Sequence, residues 1–219
     1  MDSRNGSENG EVNLLSIKEY KPIIVLGVFL VAVIGFIYVV SLYWPKYEEY
    51  FFKLGLLGKE GKAEGYFPSD DSTIHIGTPM SWNIYVHNHM GSKQWVSIKV
   101  RILNSTMQAP DDREHEPSPE PCVLEIPFSL SVDETVLVPY SWSILDAEYR
   151  NGTVIYSIIV NNEIYDISLS DNSTRFRYVF EIWVYDELLD DYSFGWYSKG
   201  EFYSASVYIW FNLNLAYLV

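Results

Sequence analysis

Polar and apolar positions along the chain fall into two regimes. From Ile23 to Tyr43 the sequence IIVLGVFLVAVIGFIYVVSLY runs 21 residues without a charge, enough at helical rise to cross a hydrocarbon core of ~30 Å. Lys18, Lys21 and Pro22 mark its entry and Tyr43, Trp44 and Pro45 its exit. The aromatic rings suit the headgroup zone, and the proline cannot continue a helix. A cleavable signal has an apolar core of ~7 to 15 residues and ends at small side chains. This core is longer and runs into bulky ones, so the pattern predicts a retained transmembrane helix over residues 22–44, behind a polar tail at 1–21.

Past the helix the period becomes two. Trp82, Ile84 and Val86 alternate with Tyr85, His87 and His89, and Val96, Ile98, Val100 and Ile102 alternate with Ser97, Lys99 and Arg101, the pattern of half-buried strands. Met90-Gly91-Ser92 between them predicts a hairpin turn. Residues 104–121 hold four prolines and no apolar period, which predicts a long exposed loop. Residues 123–130 and 135–144 read as strands that Pro127 and Pro139 confine to edges or bulges. Residues 154–160 and 164–169 flank Asn161-Asn162, which tolerate positive φ and predict a hairpin. Residues 176–185 and 202–215 complete the set, and the two-residue period and asparagines of the last stretch argue against a second span. Eight or more short strands joined by turns predict an all-β domain, an antiparallel immunoglobulin-like β-sandwich over residues 45–219.

Charge narrows the choice of partners. Residues 45–219 carry 12 Lys plus Arg against 25 Asp plus Glu, so the domain repels nucleic acid and anionic lipid. The 18 Tyr, 11 Phe and 7 Trp suit pleated sheets. Basic residues flank the span evenly and leave it unoriented. Three glycosylation sequons begun by Asn104, Asn151 and Asn172 favour the large domain outside and the N-terminus in the cytoplasm, although Asn5 begins a fourth on the short side. The lone Cys122 cannot form an internal disulfide.

The run Leu57-Gly58-Lys59-Glu60-Gly61-Lys62-Ala63-Glu64-Gly65-Tyr66, the segment Val86-His87-Asn88-His89 and the closing Tyr208-Ile209-Trp210 together resemble the archaeal membrane-protein family called domain of unknown function 1616. The likeness covers residues 51–145 and 176–213. It implies an archaeal envelope protein with an extracytoplasmic β domain and supplies no catalytic residue.

Two groups of side chains carry candidate chemistry. His87 and His89 leave one face of one strand, a spacing at which two imidazoles can share a zinc or copper ion. A third ligand is missing nearby: His75, His115, Met90, Met107 and Cys122 qualify only if the fold gathers them. The expectation is therefore solvent-facing histidines and no cofactor. Asp111 to Glu114 and Asp186 to Asp191 fit no regular calcium loop and read as solvated acidic turns. No nucleophile elbow, phosphate loop or His-Glu-x-x-His stretch occurs, so no enzyme is expected. In the two C-terminal strands Trp183, Tyr185, Tyr208 and Trp210 point outward. If those strands pair, the four rings form an apolar patch of the kind that marks a docking site. The reading is a single-pass structural or accessory subunit of a membrane complex or surface layer, with a binding module for a glycan, metal or protein as the alternative.

Overall fold

The structure, a computed structural model, describes residues 15–43, 50–150, 153–169 and 174–214. Most of the polar tail, Trp44, Pro45, Asn151, Asn172 and Leu215 lie outside the described residues. The chain divides into two units, Met1–Glu48 and Glu49–Val219. In the first, helix α1 (Leu15–Tyr43) holds 24 residues, Tyr20–Tyr43, that are long and apolar enough to cross a membrane. From Tyr20 to Tyr43 nearly all its apolar side chains lie exposed, which a helix tolerates when its surroundings are apolar too.

In the second unit the described strands are β1 (Phe51–Leu57), β2 (Thr73–His75), β3 (Met80–His89), β4 (Gln94–Asn104), β5 (Leu124–Leu130), β6 (Thr135–Arg150) and β7 (Thr153–Val160). They continue with β8 (Glu163–Leu169), β9 (Arg175–Asp186), β10 (Asp191–Phe194), β11 (Trp196–Ser198), β12 (Glu201–Tyr203) and β13 (Ser206–Asn214). One large sheet runs β1-β3-β6-β7-β8 and the other β2-β13-β9-β4-β5, with β10 paired to β9, and β11 and β12 form a two-stranded ribbon of their own. Every strand pair is antiparallel except β2 with β13. The row β1-β3-β6 facing β5-β4-β9-β13 is the A-B-E against C′-C-F-G arrangement of an immunoglobulin-like sandwich. The all-β expectation stands.

The turn at Met90 to Lys93 departs from expectation. It joins no hairpin, because β3 pairs with β1 and β6 while β4 pairs with β5 and β9. Both strands bury one apolar face, and such faces can meet across a sandwich as well as lie side by side in a ladder; the alternation is the same in both cases. The turn is tight: Gly91 has φ 71°, and a Cβ there would stand 2.6 Å from the Tyr50 ring. The Asn161-Asn162 turn is the hairpin expected, with φ of 48° and 73° joining β7 to β8. Pro127 lies on edge strand β5, as its missing N–H requires.

Aromatic rings fill the space between the sheets. Trp82 is fully buried and meets Trp142 at 5.1 Å, Tyr178 at 5.4 Å, Phe67 at 6.1 Å and both Tyr140 and Phe180 at 6.3 Å between ring centroids. Its Nε1 donates to the Tyr66 carbonyl at 2.7 Å, and the Tyr66 hydroxyl donates to Leu56 O at 2.9 Å. The glycine-rich stretch after β1 is thereby tied to the core ring. Burial raises the Tyr140 and Tyr178 hydroxyls well above the usual tyrosine value of 10.0, so both stay neutral in the fold.

The middle of the outer face of the β4-β9 pair is also buried, although it reads as polar. Glu181 is 0% exposed and Arg101 7%. Arg101 Nε donates to Glu181 Oε2 at 3.1 Å, and Trp183 Nε1 donates to the same oxygen at 3.0 Å. The Ser118 backbone N–H donates to Glu181 Oε1 at 2.9 Å. Segment 105–123 is drawn over the sheet at further points. Arg177 Nη2 donates to Met107 O at 3.0 Å, and Ser206 donates through both N and Oγ to Asp112 Oδ2. Leu103 and Val179 are fully buried beneath it. The loop is long, irregular and in large part exposed, as expected, and it also serves as a lid on the sandwich, because a buried carboxylate needs more donors than one arginine brings.

Three outcomes follow. Trp82→Ala lowers the unfolding free energy by about 3–5 kcal/mol, the range for large aromatic truncations in packed cores, whereas Leu188→Ala, at a side chain 95% exposed, changes it by less than about 0.5 kcal/mol; denaturant titration checks both. Glu181→Ala strands the buried guanidinium of Arg101 and costs about 3–5 kcal/mol, with protease cutting within residues 105–123 before the rest of the domain opens. Tyrosines whose folded pKa is raised stabilise the fold fully below the unfolded value and lose that contribution as the pH climbs past it. The domain therefore unfolds on alkaline titration beyond about pH 10, with tyrosinate absorbance of the two buried rings appearing only on unfolding.

Candidate functional site

Strand β3 sets the geometry of the site. Its even positions from Met80 to Asn88 are buried, which turns Tyr85, His87 and His89 to the outer face as the alternation requires. The imidazoles of His87 and His89 stack 6.0 Å apart at 22°. His87 Nδ1 lies 2.9 Å from Thr135 Oγ1, its partner across the β3-β6 ladder. His89 Nδ1 lies 2.8 Å from Asp133 Oδ1, and the His89 ring rests against Phe51 at 4.8 Å. One ligand atom from each of His87, His89 and Asp133 falls within 4.8 Å of the other two. His75, His115 and Cys122 stand elsewhere: His115 faces Ser204, and the Cys122 thiol donates to Leu124 O.

Asp133 was invisible to the sequence reading because it lies 44 residues from His89, in a turn before β6. Asn88, between the two histidines, holds that turn in place. Its side chain is 0% exposed and donates to Ser92 O at 2.9 Å, Leu130 O at 3.2 Å and Ser131 O at 2.9 Å. Its backbone N–H donates to Glu134 O at 3.0 Å. Within the turn Ser131 N–H donates to the Glu134 carboxylate at 2.6 Å. That bond holds Glu134 below the usual carboxylate value, so its support is present above the ordinary carboxylate range and lost on acidification through it. Asp133 itself has φ 56°, a left-handed conformation aspartate tolerates.

The four outward aromatics do not form the patch expected of them. Strands β9 and β13 do pair, but the register sets Tyr208 opposite Val179 and Trp210 opposite Arg177. Trp183 is four residues further along β9, ~13 Å at strand rise. Trp183 is half-buried, with Lys99 Nζ 3.7 Å from its ring centre and Phe194 against it at 5.9 Å. The Tyr185 hydroxyl donates to Asp190 Oδ1. Trp210 is half-buried beside the guanidinium groups of Arg175 and Arg177, at 4.7 and 4.9 Å, and only Tyr208 is open, at 56%. The lid over Glu181 and Val179 separates the two pairs.

The sequon at Asn104 also meets a correction. It ends β4 with 0% exposure, and its Oδ1 accepts from the backbone N–H groups of Thr106 and Met107 at 2.9 and 3.0 Å. A buried amide used as a turn cap offers no glycan attachment point in the folded domain.

No family model matches the chain, and no curated protein matches it. Among solved structures, the chain is similar to the CARDB domain of a Pyrococcus furiosus protein crystallised with di-metal ions, with 9% identity, 77% of this chain and 96% of that chain covered, and a TM-score of 0.38. It is similar as well to part of a β-glucosidase from Listeria innocua in complex with isofagomine, with 8% identity, 75% of this chain but only 16% of that chain covered, and a TM-score of 0.33.

Proposed function

We propose that the chain is a single-pass membrane protein, N-terminus in the cytoplasm, that presents its sandwich outside and acts there as a binding module without enzymatic activity. The observation that carries this reading is the convergence of His87, His89 and Asp133 within 4.8 Å on the open outer face of one sheet, while the aromatic face of the other sheet lies partly beneath its own loop. The apolar helix α1 supports the anchor, and the resemblance to the archaeal family is in keeping with an envelope location.

A second reading, an accessory subunit of a membrane complex or surface layer, draws on a different surface. Leu188 and Leu189 at the β9-β10 turn are 95% and 66% exposed, and Tyr197 is 64% exposed. Exposed apolar side chains at a hairpin tip suit a protein contact better than water.

Protease added to intact cells that express the chain removes residues 50–219 and spares α1; full protection of the large domain overturns the orientation. Purification from native membranes in mild detergent separates the two readings. A binding module elutes alone, whereas an accessory subunit brings a partner in fixed ratio and loses it on Leu188→Ser with Leu189→Ser.

A further inference from the structure

We propose that His87, His89 and Asp133 bind one divalent transition-metal ion, zinc or copper, at the end of β3. The inference rests on the binding-module reading and deepens it by naming the ligand. Two imidazoles and one carboxylate form a donor set that favours these ions over calcium or magnesium, which prefer oxygen throughout. The three ligand atoms lie within 4.8 Å of one another. Around a tetrahedral ion with bonds of ~2.1 Å they would stand ~3.4 Å apart, so the widest spacing draws in while the 2.8 Å between His89 Nδ1 and Asp133 Oδ1 opens, adjustments that small side-chain rotations supply.

The site is built by groups other than its ligands. His87 sits between two ladders, opposite Lys53 of β1 and Thr135 of β6, and His89, the last residue of β3, is held by β1 through Phe51. Asp133 is on a turn, but the turn is held by the buried Asn88 amide and by the bond from Asn88 N–H to Glu134 O. Thr135 Oγ1 orients His87 from outside the donor set at 2.9 Å, as partners behind metal-binding histidines do. His89 Nδ1 and Asp133 Oδ1, 2.8 Å apart, share a hydrogen in the metal-free arrangement. A cation seated there displaces that hydrogen, and the neutral imidazole carries its proton on Nε2 instead.

The His89 and Asp133 side chains are 40% and 64% exposed. Three protein ligands at an open surface leave at least one coordination position facing solvent, the pattern of sites that take a water or an external ligand rather than of closed structural sites. Loss of the metal should therefore leave the fold intact.

The test uses the full-length protein in detergent, stripped by chelator and titrated with Zn²⁺ by calorimetry. One ion binds per chain; His89→Ala and Asp133→Asn each weaken binding at least tenfold, and His75→Ala leaves it unchanged. With Cu²⁺, electron paramagnetic resonance reads two coordinated nitrogens in the wild type and one in His87→Ala. Melting curves in chelator match for all variants. Absence of Zn²⁺ binding, or binding that survives both His89→Ala and Asp133→Asn, overturns the proposal. Should His89→Ala fail to fold, Asp133→Asn, which keeps the size of the side chain and removes its charge, decides alone. Because detergent removes sidedness, failure here leaves the orientation reading standing, and failure of the protease experiment leaves the metal site standing.

Discussion

A single buried carboxylate governs how the second sheet is finished. Glu181 takes two donors at one oxygen, from Arg101 and Trp183, and a backbone N–H at the other. Taking a charged pair out of water costs several kcal/mol per ion unless every lone pair finds a donor. The sheet supplies only part of that complement. The missing donor comes from Ser118, in the middle of the segment between β4 and β5, and that requirement pins the segment across the sheet. Once pinned, it buries Leu103 and Val179, so the hydrophobic gain beneath the lid depends on the charge pair above it.

Much of the sandwich was legible because its core obeys a simple rule. Alternate positions of β3, β4, β9 and β13 are apolar and turn inward, and the rings of Trp82, Tyr178, Phe180 and Phe211 meet where that rule sends them. The rule is silent about which sheet a strand joins. Residues 90–93 look like a hairpin turn and instead carry the chain from one sheet to the other. It is silent also about a second layer: Ser97, Lys99 and Arg101 alternate as a solvent face should, yet Ser97 and Arg101 are buried. No local pattern announces a lid whose anchor, Glu181, is 63 residues from the N–H it captures.

The candidate site divides in the same way. That His87 and His89 share a face follows from strand geometry and was readable directly. That Asp133 joins them was not, because its position depends on Asn88 reaching across to a turn more than forty residues on. A polar residue at a buried strand position, between two histidines, was the one available signal. Alternation marks Asn88 as an inward residue, and an inward amide must find partners; here those partners are the carbonyls of the turn that carries the third ligand atom. Sequence spacing can nominate ligands on one strand, whereas ligands from a distant loop become visible only through the hydrogen bonds that place the loop.

The two outer faces of the sandwich then differ for a physical reason. The β4-β9 face carries a charge pair that the fold must cover, so the chain spends a loop on it and leaves Trp183 and Trp210 stacked against cations rather than presented as bare apolar rings. The face that holds β3 carries tyrosine, histidine and threonine side chains, His87 and Thr135 in contact with each other, and among the described residues no buried charge pair that the fold must cover. Leu137 on that side remains 47% exposed. A site for a small ligand needs convergent polar groups and access from solvent together. Those requirements coincide at the end of β3, where the strand is rigid, the neighbouring turn is fixed by a buried amide, and the outer surface stays open.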